Sequence, residues 1–86
     1  MAFMDTIART PKQVGAGIRR YRRQKGITQA ALGNKMRARQ ATISKLESGE
    51  PATQLRVLMD ALAALDLELL IRPRTKASVE EIEDLF

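Results

Sequence analysis

At 86 residues, 44% of them hydrophobic, the chain makes one small domain with a limited apolar core, a size at which a partner subunit often supplies part of the stability. It has no Cys and no His, which removes disulfide frameworks, zinc fingers, thiol chemistry and imidazole acid-base catalysis together, and no metal or other cofactor is expected. The net charge of +5 is segregated: Thr6 to Leu46 holds eleven cations (Arg9, Lys12, Arg19, Arg20, Arg22, Arg23, Lys25, Lys35, Arg37, Arg39 and Lys45) and no acid, while Glu80, Glu81, Glu83 and Asp84 crowd the last seven residues.

A basic body of this kind points to a polyanion, nucleic acid being the commonest, against the plainer reading of a solvated face. Residues 1–10 read as an N-terminal arm with Phe3 and Ile7 as its large anchors. The arm lacks the basic start and apolar centre of a signal peptide, and no apolar run approaches the roughly 20 residues of a membrane span, so a cytoplasmic protein with no membrane partner is expected.

Thr10, Pro11 and Gln13 announce a first helix: a hydroxyl cap, a proline at the first helical position, and a Gln placed to close a capping box. It is predicted from about Pro11 to Lys25, ended by Gly26. Val14, Ile18 and Tyr21 form its inner stripe, with Lys12, Arg19, Arg20 and Arg23 outside. Gly15 and Gly17 each cost roughly 1 kcal/mol relative to Ala in a helix interior. Close packing against a neighbouring helix accounts for them, the alternative being a plain weak point.

Residues 28–49, TQAALGNKMRARQATISKLESG, divide at a period near 3.6 into two short amphipathic segments joined by a tight, arginine-bearing corner. In the first, capped by Thr28, Leu32 and Met36 fall one turn apart, and Gln29 sits where free N–H groups and the positive end of the helix make a phosphate clamp. In the second, Ile43 and Leu46 face inward while Gln40, Ala41, Ser44 and Lys45 lie opposite, preceded by Arg39. That outer face is narrow. Gln and Arg can each make paired hydrogen bonds to a base edge, and Ala can meet a thymine methyl. Helix, short turn, helix with a slender polar second face is the geometry of a helix-turn-helix reader. The competing reading is a helical hairpin packed for stability alone.

Gly49 and Pro51 close the reading helix, and Thr53 is expected to cap a fourth whose stripe is Leu55, Leu58, Met59, Leu62 and Leu65. Asp66 to Arg72 admits two readings. Leu and Glu favour helix, but the alternation of Leu67, Leu69 and Ile71 against Glu68, Leu70 and Arg72, stopped by Pro73, is strand-like. A lone strand leaves its backbone unpaired, so as a strand it pairs with the same segment of a second copy across a twofold axis. Beyond Pro73 the chain is polar and acidic, with a capping box at Ser78 and Glu81. Either it is a solubilising tail, or Val79, Ile82 and Phe86 fill a groove on a partner.

At Thr28-Gln29, Leu32, Met36, Gln40-Ala41-Thr42-Ile43-Ser44 and Glu47-Ser48-Gly49 the chain resembles the Xre and Cro/C1-type helix-turn-helix family, over residues 11–65. Within it the chain most resembles the HipB-type antitoxins, which repress their own operon and bind a HipA-type serine/threonine kinase toxin. The resemblance implies an all-α, lambda-repressor-like domain of four to five helices with a short C-terminal strand that pairs across a dimer. It implies four segments: arm 1–10, DNA-binding domain 11–65, dimerisation strand 66–73 and flexible acidic tail 74–86. Arg39, Gln40, Ala41 and Ser44 are implied at base edges, and Thr28, Gln29, Arg37 and Lys45 at the DNA backbone. Arg22 and Glu47 are implied as a structural ion pair, Leu67, Leu69 and Ile71 as the dimer strand, and Val79, Ile82 and Phe86 as the toxin-contacting tail. Two positions depart from the family pattern: Arg37 stands where the corner usually has Gly, and Arg39 where a hydroxyl usually caps the reading helix.

The expected function is a non-enzymatic, dimeric repressor in a bacterial cytoplasm, on the nucleoid. It reads an inverted-repeat operator and acts as the antitoxin of a HipA-type kinase. The alternative within the family is a stand-alone or phage-type repressor with no toxin. A rival from another class is an interaction protein whose basic face binds an acidic protein.

Overall fold

The computed structural model describes residues 5–75 and places four helices in order: α1 (Pro11–Gln24), α2 (Gln29–Met36), α3 (Gln40–Glu47) and α4 (Leu55–Ala64). Among these residues the chain is all-helical. No helix there is long and apolar enough to cross a membrane. Ile18 of α1, Leu32 of α2, Ile43 and Leu46 of α3, and Ala61, Leu62 and Leu65 at the end of α4 form one buried core. Val14, Ile27, Met36, Ala38, Val57, Leu58 and Leu67 pack around its rim. Helices of eight residues are too short to persist alone in water, so α2 and α3 exist because this core holds them.

Each helix ends in the same backbone device. A left-handed residue follows the last turn, the next N–H donates back across six residues, and the left-handed residue's own N–H donates back three. The residues are Gly26 (Ile27 N to Arg22 O, 3.3 Å), Arg37 (Ala38 N to Gly33 O, 2.8 Å), Gly49 (Glu50 N to Lys45 O, 3.1 Å) and Asp66 (Leu67 N to Leu62 O, 2.7 Å). Glycine adopts this conformation freely, and Asp tolerates it better than most side chains. Arg37 has neither advantage, yet it takes φ 56° and ψ 40°, so the turn keeps its geometry.

Several local expectations change. The Thr10 hydroxyl accepts from Gln13 N at 3.1 Å, but Gln13 Oε1 accepts from Arg9 N at 2.6 Å, so the capping box closes one residue upstream. Gly17 faces the arm, where a Cβ would lie 3.3 Å from Thr6 Cγ2, and does not face a neighbouring helix. Ile7 is half-exposed beside α1 and takes no part in the core, and Phe3 lies outside the described residues. Thr53 does not cap α4. The chain is still turning there, with Thr53 N donating to Glu50 O, and the cap position falls to Gln54, which makes no side-chain capping bond.

The inner stripe of α4 is also rotated from its expected position. Val57, Leu58, Ala61, Leu62 and Leu65 face inward, while Leu55 and Met59 are exposed. A period of 3.6 accommodates both stripes, and Ala61, being small, gave the true one little weight. Finally, residues 67–75 form neither helix nor strand. Leu67 packs on the core, but Leu69, Leu70 and Ile71 project into solvent, Ile71 at 89% exposure.

Candidate nucleic-acid interface

Thr28 caps α2 through its hydroxyl, which accepts from Ala31 N at 3.0 Å. The chain reverses at Arg37 so tightly that a Cβ on Gly33 would lie 2.7 Å from the Ala38 carbonyl oxygen. This reversal delivers Arg39 to the start of α3, where its side chain makes no capping bond. Arg39, Gln40, Ala41, Ser44 and Lys45 are all exposed, and Ile43 and Leu46 on the opposite side are buried. The polar surface is therefore carried on a helix whose other side is fixed.

Besides the apolar core, one ion pair fixes it. Arg22 of α1 and Glu47 of α3, each only 7% exposed, meet with Nε to Oε2 at 2.6 Å and Nη2 to Oε1 at 3.0 Å. The remaining guanidinium nitrogen, Nη1, donates to Ile27 O at 2.8 Å and so holds the α1–α2 turn. The hydrogen bond to Glu47 raises the Arg22 pKa above its ordinary value, against the pull of desolvation and with added attraction from the Glu47 charge. A planar guanidinium is the group suited to this job, because its fork meets a carboxylate at two points and keeps a third donor in hand.

Gln29, expected only as a backbone clamp, has a second engagement. Its Nε2 donates to Glu47 Oε1 at 3.2 Å, and its Oε1 lies 3.5 Å from Gln40 Nε2, at the outer limit of a hydrogen bond. The carboxamide thus lies between the buried pair and the first residue of α3. Nothing local in the sequence signals this, since Gln29 and Glu47 are 18 positions apart. Arg37 is exposed at the corner, beside the same surface. Leu69 and Ile71 lie apart from it on the irregular segment, whereas Val79, Ile82 and Phe86 lie outside the described residues.

Comparison with known proteins agrees with this geometry. The helix-turn-helix family HTH_3 matches residues 18–71. Antitoxin HipB of Escherichia coli (strain K12) is 32% identical over 74 residues, covering 86% of this chain and 84% of that protein. A chain of a HipB-O4 20mer complex superposes with a TM-score of 0.76 at 29% identity, over 85% of this chain and 100% of that one. A chain of a HipA-HipB-O2-O3 complex superposes with a TM-score of 0.75, also at 29% identity and over the same shares. With the family match spanning most of the chain and the HipB likeness nearly all of it, the chain belongs to the Xre-type helix-turn-helix family that includes the HipB antitoxins.

Proposed function

We propose that this chain is a sequence-specific DNA-binding repressor that serves as the antitoxin of a HipA-type serine/threonine kinase and silences its own operon. The observation that carries the reading is the exposed face Arg39, Gln40, Ala41 and Ser44 on a helix buried along its other side and tied down by Arg22 and Glu47. These four residues meet base edges in the major groove. Thr28, Gln29, Arg37 and Lys45 hold the flanking phosphates, with Gln29 also steadying Gln40.

The chain divides into an arm at 1–10, a DNA-binding domain at 11–65, a dimerisation segment at 66–73 and a toxin-contacting tail at 74–86. Leu55, Met59, Leu69, Leu70 and Ile71 are exposed, and a second copy covers Leu69, Leu70 and Ile71, with residues 67–71 becoming a strand when the partner's backbone is there to pair. The dimer reads an inverted repeat with half-sites about 34–36 Å apart or a multiple of that. The kinase assignment is supported by the likeness to HipB, including a chain of a complex that holds HipA.

Footprinting of the full-length chain on the promoter upstream of its gene tests the DNA reading, and co-purification with the neighbouring gene product tests the antitoxin reading. Gln40→Ala is expected to lose about 1–3 kcal/mol of binding, concentrated on one base pair in each half-site. Lys45→Ala instead weakens all sequences alike and lowers the salt slope by about 0.9. If Gln40→Ala left sequence preference untouched, the assignment of the reading face would fail.

A further inference from the structure

Beside the C-terminal end of α3 lies an open groove of about 710 Å³. Lys12, Arg19, Arg20 and Arg23 of α1 line it, with Ala16 between them and Ser48 at the end of α3. Among the described residues none of these four cations is in an ion pair, because the one salt bridge present there is that of Arg22 and Glu47. Four like charges on one concave face repel one another unless an anion lies between them.

Lys12 and Arg23 are separated by about 16 Å of helix, a length over which one strand of duplex DNA presents about five phosphates. The groove meets α3 at its C-terminal end, through Glu47 and the cap residue Ser48. Three of the four cations are arginines, whose fork binds phosphate at two points.

We propose that this groove holds the sugar-phosphate backbone of DNA lying outside the base pairs read by α3, so that the bound site extends beyond the reading footprint. The proposal rests on the DNA-reading function above and assigns Arg19, Arg20, Arg23 and Lys12 a role distinct from that of Arg39 to Lys45. Cations spread along about 16 Å of one helix match the regular spacing of a phosphate backbone, and this favours DNA over the chain's own acids Glu80, Glu81, Glu83 and Asp84.

The test compares full-length protein on two duplexes centred on its footprint, one trimmed to the footprint and one carrying about 10 further base pairs on each side. The longer duplex should bind more tightly, with a steeper salt dependence. Arg19→Gln combined with Arg23→Gln should flatten that slope by about 1.8, making the loss of affinity between about 50 and 200 mM salt roughly tenfold smaller. Binding to the trimmed duplex, sequence preference and thermal unfolding should be unchanged, because both side chains are exposed and Gln is as good a helix former as Arg.

Arg19→Lys with Arg23→Lys should keep the slope. Sequence-preferring binding with no difference between the duplexes overturns this proposal alone, as does an equal loss on both. Neutralising Glu80, Glu81, Glu83 and Asp84 would overturn it too if that tightened binding in the unaltered groove and had no effect in the double Gln variant, because the acidic segment would then be the occupant. Absence of sequence preference in the unaltered chain overturns the DNA reading itself.

Discussion

The two ends of α3 are built on opposite plans. At the C-terminal end Leu46 is buried, the Glu47 carboxylate receives two bonds from Arg22 and one from Gln29, and Gly15 lets the α1 backbone lie against the last carbonyls. At the N-terminal end Arg39 makes no capping bond, Gln40 and Ala41 are exposed, and the approach runs through a left-handed arginine. A helix of eight residues, about 12 Å long, has little stability of its own. It is therefore held along its buried side and locked at its C-terminal end, which leaves the first-turn N–H groups and polar side chains of the other end for a ligand.

Breaking the locked end should have the largest effect. Glu47→Gln keeps the shape but leaves the Arg22 charge buried without a counter-charge, an expected loss of about 3–5 kcal/mol of folding stability, read from the urea midpoint. Replacing both partners, Arg22→Met with Glu47→Leu, should restore much of that loss, since an apolar pair of similar volume removes the desolvation problem as well. If the double variant folds well but loses sequence preference, the pair matters for where α3 sits more than for stability. The pH response follows from the raised Arg22 pKa. Its contribution is complete below the unfolded-state value and disappears only as pH rises through the folded-state value, both strongly alkaline. Arg22 should therefore add no pH dependence to stability between about pH 6 and 9.

The next effect is steric, and it distinguishes two glycines of α1, Gly15 and Gly17, that have one residue between them. A Cβ on Gly15 would lie 2.6 Å from the Glu47 carbonyl oxygen and closer still to that of Leu46, both backbone atoms that cannot swing aside. Gly15→Ala is expected to destabilise by about 1–3 kcal/mol as α3 is pushed off α1, despite a better helix propensity. Gly17→Ala meets only the Thr6 methyl at 3.3 Å, so the propensity gain, up to about 1 kcal/mol, should prevail. Thermal unfolding of both variants checks the signs, and equal changes would mean that the close approach at Gly15 is not holding α3.

The sequence made the locked end easier to read than its surroundings. Ile43, Leu46 and Leu32 follow helical periodicity without interruption, and all three are buried. Thr10 and Thr28 each precede a helix start and each accepts the capping bond, because a hydroxyl cap is a local interaction. Where the answer depended on distant contacts, local pattern was a poor guide. Leu55 and Met59 fit the α4 stripe as well as Val57 and Ala61 do, and only the position of the core decides between them. The bridge from Gln29 to Glu47 and Gln40 joins α2 to both ends of α3 and leaves no trace in spacing. Residues 67–71 alternate like a strand, but a strand's hydrogen bonds need a second backbone.

The smallest effect concerns the corner that feeds the open end. Arg37 holds φ 56°, a conformation that disfavours a residue with a Cβ by roughly 1–2 kcal/mol, while Gly26 and Gly49 fill the equivalent positions after α1 and α3 freely. Arg37→Gly should raise folding stability by about 1 kcal/mol, part of the relieved strain being offset by the greater freedom of Gly in the unfolded chain. The same change removes a cation beside the reading face, so DNA affinity should fall and the salt slope drop by about 0.9 even as the protein becomes harder to melt. Arg37→Asn, which tolerates the left-handed conformation without the charge, should show the same drop in slope with a smaller gain in stability. That outcome would explain a natural arginine at a position that favours glycine: stability given up at the corner in exchange for a positive charge beside the open end of α3. Should Arg37→Gly stabilise the fold and leave the salt slope unchanged, the arginine would have no part in binding, and the contrast between the two ends would narrow to Gln40 and its neighbours.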